Sequence, residues 1–174
     1  MTKQHIITTY TINEHPDQDA VYQYIRENWH DLGQHYIDDS VESMKSCSEY
    51  FNATIDYSVS IVPDRGEFIS LQIDDLNIAE LSGNRLRTYL VNNFPEIDKC
   101  CPFTGVCCDE ALLDPFRVFI KKPDDQSFQD LLDEAGHNLL KDIHSEGEYI
   151  YSDEGIHEFI DINEYEFLES GELH

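Results

Sequence analysis

Residues 53–73, ATIDYSVSIVPDRGEFISLQI, decide the fold class. Ala53, Ile55, Tyr57, Val59 and Ile61 alternate with Thr54, Asp56, Ser58 and Ser60, which puts apolar and polar side chains on opposite faces of an extended chain. Pro63, Asp64, Arg65 and Gly66 supply turn chemistry. Beyond them Ile69, Leu71 and Ile73 alternate with Phe68, Ser70 and Gln72. Two alternating runs joined by a turn predict an antiparallel β-hairpin.

Outward from the hairpin the period changes to three and four. On its N-terminal side a helix is expected over residues 38–51, with Val41, Met44, Cys47 or Ser48, and Phe51 on one face. Before it, Asn13 to Pro16 signal a helix start, Val21, Tyr24, Ile25, Trp29 and Leu32 outline the helix, and Gly33 interrupts it. Residues 5–11 are β-branched and aromatic and read as a short strand. On the C-terminal side residues 78–94 read as a helix carrying Arg85 and Arg87, stopped by Pro95. Residues 116–120 read as a strand. A patterned helix from Ser127 runs through Phe128, Leu131, Leu132, Ala135, Leu139 and Ile143. Tyr149 to Tyr151 read as a short extended piece, residues 154–162 as a last helix and 165–168 as a last strand. The sum is an α+β fold: an antiparallel sheet built around the central hairpin, extended by the terminal strands and packed with several helices. Residues 1–123 form the α+β core domain and 124–174 an acidic helical C-terminal segment of the same fold.

The composition bounds the function. At 174 residues, 40% of them hydrophobic and including ten Tyr and nine Phe, the chain has enough apolar surface for a core. Thirty-six Asp and Glu stand against eleven Lys and Arg, leaving a formal charge of -25. That is about three times the upper end of the roughly 2 to 8 charges that suit a small soluble domain. Self-repulsion of this size destabilises a compact state. Direct binding to nucleic acid or to an anionic membrane is disfavoured, because both need a basic face. The opening residues show no charged leader followed by an apolar core, no apolar run approaches the roughly 20 residues of a membrane span, and five cysteines make an odd number for a disulfide framework. A cytoplasmic location is expected.

From Asp124 to His174 there are sixteen acidic residues and one basic residue, Lys141. Asp130, Asp133 and Glu134, then Asp153, Glu154, Glu158 and Asp161, then Glu164 and Glu166 recur at intervals that space carboxylates on a scale similar to neighbouring phosphates of a DNA strand. Tyr149, Tyr151, Tyr165 and Phe167 interleave with them as candidate interface anchors. The competing explanation is a solvated face that serves solubility alone.

Other constellations are weaker. Cys100, Cys101, Cys107 and Cys108 flank a Pro102–Gly105 turn and suggest a metal loop, but adjacent cysteines in extended chain point to opposite sides, and the usual zinc-ligand spacing is absent. For a redox role, Lys99 would lower the pKa of Cys100 while Asp98, Asp109 and Glu110 oppose it. His157, Glu158 and Asp161 resemble a metalloprotease helix whose second His is Asp, too little for hydrolysis. His30 and His35 read as packing or capping residues. There is no EF-hand loop, phosphate-binding loop, nucleophile elbow or dinucleotide fingerprint. No catalytic residue and no cofactor are expected.

The ending from Phe159-Ile160-Asp161-Ile162-Asn163-Glu164-Tyr165-Glu166-Phe167 to Gly171 resembles the close of an uncharacterised family of small acidic proteins common in phages and mobile elements. Tyr10-Thr11-Ile12-Asn13, the helix through Trp29 and the hairpin from Ile55 to Ile73 are similar to that family as well. The resemblance implies a phage-type accessory protein, and a phage origin raises one use of an acidic surface: DNA mimicry against restriction enzymes, CRISPR effectors or other defence nucleases, in the host cytoplasm. The leading expectation is a non-enzymatic inhibitor or regulator that binds a basic nucleic-acid-binding protein through the nine acids named above, with homodimerisation left open. The alternatives are a small metal-binding or redox protein using Cys100, Cys101, Cys107 and Cys108, and an adaptor for a basic peptide.

Overall fold

A computed structural model of the chain describes residues 7–174. Within them lie seven helices and one two-stranded antiparallel sheet: α1 (Gln18–Asn28), α2 (Gln34–Phe51), β1 (Thr54–Ser58), β2 (Phe68–Gln72), α3 (Leu76–Ala79), α4 (Gly83–Asn93), α5 (Cys108–Lys121), α6 (Phe128–Ile150) and α7 (Asp153–Ile162). The fold class is α+β. The chain forms two compact units: one comprises Gln34–Glu146, the other the residues up to Gly33 together with Gly147–His174. None of the described helices is long and apolar enough to cross a membrane.

In the unit Gln34–Glu146 the hairpin forms in the register Thr54↔Gln72 to Ser58↔Phe68. Asn52, at φ +52, ends α2 in the left-handed conformation that Asn tolerates, and Ala53 N–H donates to Ser48 O (2.8 Å), turning the chain into β1. Helix α6 packs against β2. A Cβ at Gly136 would lie 2.9 Å from Ile69 O, so only glycine permits that approach. Phe51 is the hub of the core, stacked on Phe116 (ring centroids 4.4 Å apart) and edge-on to Phe94 (4.9 Å) and Phe128 (5.7 Å). These contacts join α2, α5, the end of α4 and the start of α6 through aromatic pairs that add to simple area burial.

Three expectations are corrected in this unit. Residues 116–120 are helical. Leu112, Leu113, Phe116 and Phe119 recur every three or four residues and are all buried, and burying that stripe outweighs the strand preference of Val118 and Ile120. The helix tolerates Pro115, which cannot donate to the carbonyl four residues earlier. Residues 78–94 are two helices, because Leu81 O accepts from Phe128 N–H (3.0 Å), Ser82 bridges Ser127, and Gly83 takes φ +57. The sheet stays at two strands among the described residues. Gln129 occupies the edge of β2, donating to Leu71 O (2.7 Å) and accepting from Ile73 N–H (3.2 Å), where a third strand would have paired.

In the other unit α1 packs on α7 around Ile12, Val21, Ile25, Leu32, Ile156, Ile160 and Phe167. Trp29, Phe159 and Tyr165 close one side as an aromatic trio, Trp29 lying 5.4 and 5.1 Å from the other two rings. The expected terminal strands shrink to isolated bridges, Tyr10 with Phe167 through two 2.9 Å backbone bonds and Phe167 with Leu173. Turns at Thr11 and at Gly171 (φ +88) leave no length for a strand, and residues 5 and 6 of the expected first strand lie outside the described residues. Tyr149 and Ile150 belong to α6, and Tyr151 N–H still bonds Gly147 O (3.1 Å), so the extended piece is helix end and turn. Buried His15 joins the two ends of this unit. Its Nδ1 accepts from Asp17 N–H (3.0 Å), which leaves Nε2–H to donate to Leu168 O (2.8 Å).

Candidate acidic interface and cysteine loop

All nine acids expected to bind a partner are exposed. Asp130, Asp133 and Glu134 sit at the start of α6 in the unit Gln34–Glu146, and each has local work. Asp130 closes a capping box, accepting from Ser127 N–H (2.8 Å) and its hydroxyl (2.7 Å), while Ser127 Oγ accepts from Asp130 N–H (3.1 Å). The Ser127 N–H and hydroxyl hold the Asp130 carboxyl below its usual pKa. Asp133 accepts from Gln129 (2.8 Å) and Glu134 from Gln126 (2.9 Å).

The remaining six lie in the other unit, and four converge. Asp153, Glu154, Glu158 and Asp161 line an open depression of about 630 Å³ together with His157, Tyr22 and Tyr149. The local sequence dictates this. Ile156 and Ile160 bury the inner face of α7, which leaves the acids to the outer face. Ser152 caps the helix by accepting from Gly155 N–H (3.1 Å), and Asp153 and Glu154 complement the dipole in its first turn. Tyr22 OH bonds His157 Nδ1 (2.8 Å), Tyr149 OH donates to Glu158 (2.5 Å), and Asn13 donates to Asp161 (3.3 Å). Burial first, then the charges of Asp153 and Asp19, raise the Tyr22 pKa against the opposing pull of Arg26. Arg26 pairs with Asp153 and donates to Tyr151 O (3.0 Å). The metalloprotease-like string is thus a tyrosine-bonded His on an acidic helix face. Glu164 follows at φ +55, and Glu166 accepts from Thr9 (2.6 Å). His30 and His35 are exposed rather than packed.

The four cysteines of the loop do not meet. Cys108 is buried beside Ser40 (Sγ to Oγ 3.4 Å), and burial foremost raises its pKa, while Cys107 is exposed. Cys100 and Cys101 instead converge with Glu110, a residue read from the sequence only as a flanking charge; all three donor atoms lie within 4.8 Å of one another. Arg117 holds this corner together, donating from Nε to Ile97 O (2.7 Å), from a terminal nitrogen to Lys99 O, and pairing with Glu110. Its i+7 position, two turns on from Glu110, is the sequence signal that would have disclosed the pairing. The bond to Cys100, then partial burial and the Glu110 carboxylate, raise the Cys101 thiol pKa to about 11. Beneath the loop, fully buried Asp109 accepts from Phe103 N–H (2.8 Å), Thr104 N–H (2.9 Å) and the Thr104 hydroxyl (3.0 Å).

Arg117 first, then Cys101 N–H, lower the Glu110 pKa from 4.5 to about 2. A depressed carboxylate pKa stabilises the folded state above the unfolded value and loses that contribution as pH falls from about 4.5 towards 2. Since the side chain is 42% exposed, the contribution is modest. The stability difference between the native protein and Glu110→Gln, measured by denaturant titration, is expected to shrink across that window. A difference constant from pH 6 to pH 2 would contradict the assignment.

No protein-family model matches the chain, and no curated protein or solved structure matches it.

Proposed function

We propose that the chain is a non-enzymatic binding protein that offers the acidic face of α7 to a basic nucleic-acid-binding protein, acting as a DNA mimic against a host defence nuclease or CRISPR effector in the host cytoplasm. The observation that carries the reading is the depression in which Asp153, Glu154, Glu158 and Asp161 line up beside Tyr22 and Tyr149. At a rise of about 1.5 Å per residue these four carboxylates span about 12 Å, one per 3 to 4 Å, which compares with one phosphate per roughly 3.4 Å along a DNA strand. Arg26 offsets Asp153, so Glu154, Glu158 and Asp161 present the uncompensated charge. The exposed Tyr149 gives a partner apolar ring surface, and the net charge of -25 would speed encounter with a basic groove. The resemblance to acidic phage proteins agrees with this use.

The test is affinity capture from host lysate at low and high salt, with duplex DNA as competitor. The expected partner is a nucleic-acid-binding protein displaced by DNA and weakened by salt. Reversing Glu154, Glu158 and Asp161 to Lys is expected to weaken binding about 100-fold or more, since like charges set against a basic groove cost several kcal/mol. Reversing Asp133 and Glu134 tests the α6 set separately, while Asp130 is spared because it caps its helix. Unchanged affinity in the α7 variant, with Trp29 fluorescence showing a folded protein, would sink the proposal.

A further inference from the structure

Adjacent cysteines in extended chain point apart, but Cys101 adopts φ +43, a left-handed conformation uncommon for non-glycine residues. At this bend the two thiols face one another, Sγ to Sγ 3.6 Å, and Cys101 Sγ lies 3.7 Å from Glu110 Oε1. A tetrahedral zinc ion with Zn–S about 2.3 Å and Zn–O about 2.1 Å places two sulfurs about 3.8 Å apart and a sulfur and an oxygen about 3.6 Å apart. The two separations match two edges of that tetrahedron, and the third pair, Cys100 with Glu110, also lies within 4.8 Å. We propose that Cys100, Cys101 and Glu110 form a three-donor site for a thiophilic divalent cation of the zinc type, with its fourth position open to solvent.

The surroundings suit the role. Glu110 is oriented by Cys101 N–H (3.0 Å) and by Arg117, the kind of outer hydrogen bonding that fixes a ligating carboxylate. Two thiolates, one carboxylate and the Arg117 guanidinium carry a net charge of about -2 at full ligation, which a dication neutralises. Cys100 is exposed, which gives the ion an entry path. Soft thiolates select zinc-type ions over magnesium and calcium, which the carboxylates of the remaining surface would hold loosely.

The experiment is a Co²⁺ titration of the full chain under a non-thiol reductant with excess Mg²⁺, followed by thiolate-to-metal charge-transfer absorption, to which surface carboxylates are silent. One equivalent is expected, displaced by Zn²⁺. Cys100→Ser and Cys101→Ser are expected to lose the band, Cys107→Ser to keep it, and Glu110→Gln, whose single carbonyl oxygen still accepts from Cys101 N–H but which no longer pairs with Arg117 through both atoms, to bind about 10-fold or more weakly. No band at stoichiometric Co²⁺, a band that survives Cys101→Ser or vanishes in Cys107→Ser, or unchanged affinity in Glu110→Gln would overturn the assignment.

Discussion

Replacing Gly155 with Ala is expected to destabilise the unit formed by the two ends of the chain by about 3 kcal/mol, the upper end of what overpacking a tight site costs. The added Cβ would lie 2.2 Å from Tyr149 O, 3.0 Å from Tyr149 C and 3.1 Å from Ile150 Cα. All three are backbone atoms, so no side chain can swing aside. The end of α6 and the first turn of α7 would have to separate, disturbing the Ser152 cap. Helix propensity argues the other way, favouring Ala over Gly by about 1 kcal/mol, so the sign of the effect is diagnostic. The chain has a single tryptophan, Trp29, held against Phe159 and Tyr165 in this unit. Its fluorescence during urea titration reports the unit directly, and a midpoint equal to or above that of the native protein would refute the close packing.

The second large effect is expected at Asp109. Its fully buried carboxylate is the sole side-chain acceptor shown for Phe103 N–H and Thr104 N–H. Asp109→Ala strands both donors and leaves a small cavity, a loss of about 3 kcal/mol or more. Asp109→Asn retains one acceptor oxygen for the two N–H groups, and the Thr104 hydroxyl keeps Ser43 Oγ (2.9 Å) as a partner, so a loss of about 1 kcal/mol is expected. The ordering, Ala far worse than Asn, is the readout. Because Trp29 sits in the other unit, far-ultraviolet circular dichroism during denaturation is the suitable probe. Equal losses in the two variants would show that the carboxylate is not organising the loop.

The hairpin was legible because its evidence is local: period two on either side of Pro63 and Gly66 leaves little else for residues 54–72 to be. The face of α7 was legible for the same reason, since acids at 154, 158 and 161 and isoleucines at 156 and 160 fall on opposite sides of one helix. What escaped was decided at a distance. The break at residues 80–82 is fixed by Leu81 and Ser82 meeting residues 127 and 128, and its one local sign is the Ser82-Gly83 pair inside a run that otherwise reads as a single helix. Residues 116–120 look extended when read alone, and become a helix only when Leu112 and Leu113 are counted into the stripe. The role of Asp130 was written in the sequence as Ser127-x-x-Asp130, a capping signature, but read instead as surface charge. In the sequence Asp109 and Glu110 read alike, with Asp98, as charges flanking the cysteines. The structure separates them by burial, sending one under the loop and the other to its rim.

Gly147–His174 completes a core whose other half lies before Gln34, and this ordering of the chain governs how it can be made. At roughly 5 to 20 residues per second, ribosomal synthesis separates Val21 from Phe167 by about 7 to 30 s. During that interval α1 has emerged, but the residues that cover Val21 and Ile25 have not. The contiguous stretch Gln34–Glu146 can fold meanwhile, shortening the chain that must still be closed before Tyr10 finds Phe167. The newborn protein thus carries the uncovered apolar face of α1 until residues 147–174 arrive, and chaperone demand and aggregation risk concentrate in those seconds.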